Sequence, residues 1–122
     1  MIQLCSDRYS IEIDITNTSW CKCWLIVDED KSYLGAESLK YIKDHLLAGL
    51  DDRPKEISGH LYKYDFSWVL SLSEVHTGLY VAQNGLGKVL LVQNADGHTN
   101  EICLIKLSQD RCLQWLDKIR SI

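Results

Sequence analysis

Residues 19 to 30, SWCKCWLIVDED, concentrate the side chains best able to do chemistry. Cys21 and Cys23 stand one residue apart between Trp20 and Trp24, and the run ends in Asp28, Glu29 and Asp30. A C-x-C pair can ligate zinc or copper, but a structural zinc site wants about four ligands, usually a second knuckle or two histidines. His45, His60, His76 and His98 are scattered, and no two are four residues apart. A disulfide within C-x-C would be strained on extended chain. The residues therefore point to buried thiols, since free cysteine behaves as a small hydrophobe, and to neither metal nor cofactor.

An enzyme needs a nucleophile, a base and an orienting group, or a pair of tuned carboxylates. The chain has no G-x-S-x-G, no Walker loop and no H-E-x-x-H. NGLGK at 84 to 88 lacks the spacing and the following helix of a phosphate loop and reads as a hairpin turn. His76 before Thr77-Gly78 and His98 after Asp96-Gly97, as a pair with a lysine, would permit ribonuclease-type acid/base chemistry, and a small hydrolase or nuclease would use one or the other. That is the enzymatic alternative; the expectation is a protein that is not an enzyme.

The acids form a different kind of signal. Asp28, Glu29 and Asp30 are one run, Asp51 and Asp52 another, and Glu12 and Asp14 line one face of an alternating segment. Such groups are either solvated surface or a docking patch for a basic partner, where complementary charge speeds encounter and selects the partner.

These residues must be held by regular elements. YSIEIDIT alternates Ile11, Ile13 and Ile15 against Glu12 and Asp14, a half-buried strand. After TNTS, WCKCWLIV is a second strand: Cys21, Cys23, Leu25 and Val27 share one face, Trp20, Lys22, Trp24, Ile26 and Asp28 the other. The first face reads as core. The tryptophans of the second either pack under a helix or meet another chain, where Trp is enriched among the residues that carry binding energy.

A helix is expected from about Ala36 to Leu50, with Leu39, Ile42, Leu46 and Leu50 in register, ended by Gly49 and DDRP. LYKYDFSWVLSLS reads as one long strand, followed by TGLYVAQ, the Asn84-Gly85 turn, LGKVLLVQ, the Asp96-Gly97 turn and NEICLIKL. SQDRCLQWLDKI closes as an amphipathic helix with Ser108 as N-cap and Cys112, Trp115, Leu116 and Ile119 as its apolar stripe. The order β-β-α-β-β-β-β-α, with short turns, predicts an α+β fold: one mainly antiparallel sheet of five to six strands with two helices packed on it. The later strands are apolar on both faces, so both faces need cover.

The 122 residues suit a single domain, 1–122, and 46% apolar with 25% charged residues and one proline suits a packed core. The net charge of −4 and the lack of any Lys/Arg cluster argue against nucleic acid and anionic membrane as partners. MIQLCSDRYS has no basic, apolar leader, and the five cysteines make no disulfide framework, so a reducing cytoplasm is expected.

With its small size, its acidity, its lack of catalytic motifs and the closing pattern CLIKLSQDRCLQWLDKI, a strand followed at once by a Ser-capped helix carrying Trp115, the chain resembles the small immunity proteins of bacterial toxin systems, including contact-dependent growth inhibition. The resemblance implies a non-catalytic cytoplasmic protein that binds and neutralises a cognate toxin domain, often a nuclease, by covering its active site. On this reading a basic toxin domain is held by Glu12, Asp14, Asp28, Glu29 and Asp30 around Trp24 as anchor. An acidic, dimeric secretion-type chaperone is the alternative within binding proteins.

Overall fold

A computed structural model describes residues 1–51, 57–61, 64–94 and 102–122; at 57–61, 64, 94 and 102 only backbone placement is described. Asp52, Pro54, Tyr62, Lys63, the Asp96-Gly97 turn and His98 lie outside the described residues.

The described elements are β1 (Ile2–Ser6), β2 (Tyr9–Ile13), β3 (Cys21–Val27), β4 (Asp30–Glu37), α1 (Leu39–Leu50), β5 (Ile57–Leu61), β6 (Tyr64–Leu72), β7 (Thr77–Asn84), β8 (Gly87–Asn94), β9 (Ile102–Leu107) and α2 (Gln109–Arg120). The class is α+β, with two helices. The single sheet of five to six strands is corrected to two antiparallel sheets: four strands in the order β1-β2-β3-β4 and five in the order β5-β6-β7-β8-β9.

Three strands account for the difference. Ile2–Ser6 alternates over only five residues and becomes a strand by pairing with β2. Asp30–Glu37 has a polar first half and is broken by Gly35, so its alternation fails where the register against β3 shifts. The expected long strand at 61–73 is the second arm of a hairpin, with β5 on β6 and His60 opposite Asp65. α1 starts at Leu39, not Ala36, because the Ser38 hydroxyl accepts the Tyr41 N–H and fixes the first turn. Gly49 lies inside this helix and does not end it; a Cβ there would come within 2.7 Å of Val69. The β7–β8 loop is Gly85-Leu86, with Asn84 paired to Gly87, so the turn is one residue later than Asn84-Gly85.

One hydrophobic cluster draws on both sheets and both helices. It takes Leu4, Ile11, Ile13, Cys23, Leu25 and Leu34 from the first sheet and Leu70, Leu79, Leu90, Val92 and Ile105 from the second, together with Ile42 and Leu46 of α1 and Trp115 and Ile119 of α2. A bulge in β6 between Trp68 and Leu70 lets Val69 and Leu70 both enter it. The other face of the second sheet holds a smaller buried group, Phe66, Ala82, Val89 and Leu91.

The sheets touch at two seams. Ala36 and Ser73 exchange backbone hydrogen bonds at 3.2 and 3.1 Å, and the Ser73 hydroxyl donates to Glu37. At the opposite edge the Ser6 hydroxyl donates to the Lys106 carbonyl at 2.8 Å. Among the described residues no helix is long and apolar enough to cross a membrane.

Candidate functional site: the outer face of the four-stranded sheet

Alternation along β3 separates two chemistries. Cys21 and Cys23 point inward and are buried, as expected from the sequence. Burial raises both thiols, Cys23 to about 12, which keeps them protonated and unreactive. Trp24 points the other way, and the register lines up Gln3, Glu12, Trp24 and Tyr33 as one row across the four strands.

The row is joined by contacts. Gln3 Nε2 donates to Glu12 Oε1 at 2.8 Å, and the Lys31 ammonium lies 3.0 Å from Glu12 Oε2. Lys31 also sits 4.8 Å from the centre of the Trp24 ring, a cation–π distance. Trp24 and Tyr33 pack with ring centres 4.8 Å apart. The hydrogen bond from Gln3, then Lys31, holds the Glu12 carboxyl below its ordinary value. Burial, reinforced by the Glu74 carboxylate, pushes the Tyr33 phenol up to about 12, so it stays neutral. Glu74 also accepts the Trp20 indole N–H at 3.1 Å.

Neither tryptophan packs beneath a helix: Trp24 lies against Tyr33 and Lys31 of the adjacent strand, and Trp20 is 39% exposed. The outer face is thus an aromatic surface around a neutralised ion pair.

The sequence-derived acids are not one patch. Glu12 is only 7% exposed and paired, and it works inside the row. Asp14 lies just past the end of β2, where its side chain accepts the Thr16 N–H at 3.0 Å; hydrogen bonds from the Thr16 hydroxyl, then from that N–H, hold its carboxyl below its ordinary value. Asp28 and Glu29 form the β3–β4 turn, Asp28 at φ 57°, and Asp30 opens β4. Asp28 binds Arg8 of the neighbouring β1–β2 turn at 2.6 Å; Glu29 and Asp30 are exposed. Four residues of strand, about 13 Å, separate Trp24 from Asp28. The acids therefore flank the aromatic row at opposite ends of the sheet.

Gln3, Lys31, Tyr33 and Glu74 were not singled out from the sequence. Lys31 and Tyr33 were legible in principle: once DE is read as a two-residue turn after Val27, alternation places both on the Trp24 face. Glu74 comes from the other sheet, and no local signal marks it.

The described histidines lie on different elements. His45 on α1 packs against Tyr41 and, edge-on, against Trp68 at 5.5 Å. His76 is exposed in the β6–β7 turn at φ 55°. Among the described residues no group of three His, Cys, Asp or Glu side chains is placed to hold a metal ion.

No protein-family model matches the chain, and no curated protein matches it.

Proposed function

We propose that the chain is a non-catalytic binding protein of the immunity type, which neutralises a cognate toxin domain by covering its active site with the outer face of β1 to β4. The observation that supports this best is the row Glu12–Lys31–Trp24–Tyr33. Its side chains are already fixed by one another on rigid strands, so little conformational entropy is lost when a partner settles on them. Trp20 extends the aromatic surface, and Asp28, Glu29 and Asp30 form an acidic rim at one end. That distribution fits a basic partner: the aromatics supply affinity and the rim supplies encounter rate.

The test is co-expression with the product of the adjacent reading frame, followed by growth rescue and by calorimetry on the purified pair. Trp24→Ala is expected to weaken binding by at least about 2 kcal/mol, the threshold of a dominant interface residue. Reversing Glu29 and Asp30 to lysine is expected to slow association and flatten its salt dependence. A complex that forms with unchanged affinity in a folded Trp24→Ala variant refutes this surface as the contact.

A further inference from the structure

A second surface, which meets the partner-binding row at Gln3, lies where α2 meets the edge of the four-stranded sheet. β1 is an edge strand, and α2 lies along it. The Lys118 ammonium donates to the Gln3 carbonyl at 2.7 Å, and the Trp115 indole N–H donates to the Cys5 carbonyl at 2.8 Å. Between helix and strand is a cleft of about 480 Å³, lined among others by Arg111, Gln114, Asp117 and Lys118. Arg111 also borders a neighbouring cleft of about 350 Å³ that contains Lys106.

The balance of donors and acceptors in the first cleft is one-sided. In an antiparallel edge strand, alternate residues turn both backbone groups toward the partner strand or both away from it. The carbonyls of Gln3 and Cys5 point to α2, so their N–H groups face the same side, and neither is bonded there to a described residue. The carbonyls that would balance those amides are already taken by Lys118 and Trp115. Arg111 gives one N–H to the Gln114 side chain at 3.1 Å, which leaves further guanidinium donors. Lys118 uses one of its three hydrogens on Gln3. Among the described residues Asp117 is the one acid in the lining. Two cations and two backbone amides against one carboxylate favour a ligand that only accepts hydrogen bonds.

We propose that the cleft between β1 and α2 binds a small organic anion through a carboxylate or phosphate group, held by Arg111, Lys118 and the amides of Gln3 and Cys5, with the Trp115 ring beside it. The volume suits a ligand of metabolite size.

Titration of the ¹⁵N-labelled full chain with inorganic phosphate and with malonate, at constant ionic strength against sodium chloride, tests this. Saturable shifts in the low millimolar range are expected at the Gln3 and Cys5 amides and the Trp115 indole, for one probe or both. The probe that saturates identifies the acid group. Arg111→Gln is expected to weaken binding about tenfold, the loss of one charge-assisted hydrogen bond. Asp117→Asn is expected to tighten it by removing the opposing charge, a gain that general loosening of the helix does not produce. Shifts that never saturate, shifts reproduced by chloride, or an affinity unmoved by both variants overturn the assignment.

Discussion

Gly35→Ala is the substitution most telling about how the two sheets are held together. Gly35 adopts φ +115°, a conformation open almost only to glycine, and an added Cβ would be driven into the Ser73 carbonyl oxygen. That oxygen accepts the Ala36 N–H, and the Ser73 N–H returns to the Ala36 carbonyl, so the collision falls on the seam itself. The backbone strain costs ~1–3 kcal/mol. Losing two net hydrogen bonds adds ~1 kcal/mol each, giving a total of about 3–5 kcal/mol. With a urea slope of ~2 kcal/mol/M, the unfolding midpoint falls by about 2 M.

Gly85→Ala is the control. Gly85 also has positive φ, +62°, but nothing lies within 4 Å of where its Cβ would sit, so only the left-handed penalty applies. That penalty is about 1 kcal/mol. Urea melts of both variants, with amide exchange at Ala36 and Ser73, separate strain from collision. Equal costs for the two substitutions, or unchanged protection of Ala36 in Gly35→Ala, refute the claim that this seam joins the sheets.

Glu12→Gln should change how stability responds to acid. The carboxyl is held below its ordinary value in the folded state, so its contribution is complete above about pH 4.5 and fades as pH falls through the lowered value. Urea midpoints should therefore show the wild type ahead of the variant at neutral pH and the gap closing in acid; a gap independent of pH contradicts the ion-pair account. A thiol reagent added to the native protein should modify exposed Cys5 first, and reach Cys21, Cys23 and Cys112 only on unfolding. Rapid native labelling of Cys23 would show that the β3 inner face is open. Gly49→Ala should destabilise despite the helix propensity gained, because the new methyl meets Val69 Cγ1 at 2.7 Å. In the double variant with Val69→Ala the two costs should partly cancel, and strict additivity would refute the contact.

The helices and the inner strand faces were legible in the sequence because they are written in local periods. Ser108 before an apolar stripe specified α2, and the Ile11/Ile13 alternation specified β2, before any partner was considered. β4 was hidden for a physical reason: its bulge at Gly35 exists to meet Ser73, a residue of the other sheet, and it interrupts the period that would have revealed the strand. The site shows the same division. Trp24 on the face opposite the thiols was readable from alternation alone. The conversion of Glu12 from a surface acid into a buried, paired carboxylate required Gln3, Lys31 and the register of four strands.

The sequence by itself determined the α+β class, the burial of Cys21 and Cys23 and the Ser108-capped helix α2, because period, cap and propensity act over a few neighbouring residues. Only the tertiary structure decided that there are two sheets and that the aromatic row is neutralised rather than acidic. Only it brought α2 beside the edge of β1. Those outcomes depend on pairings between residues far apart in the chain, such as Ser6 with Lys106 and Gln3 with Lys118, and pairing energy of that kind leaves no mark on the local order of residues.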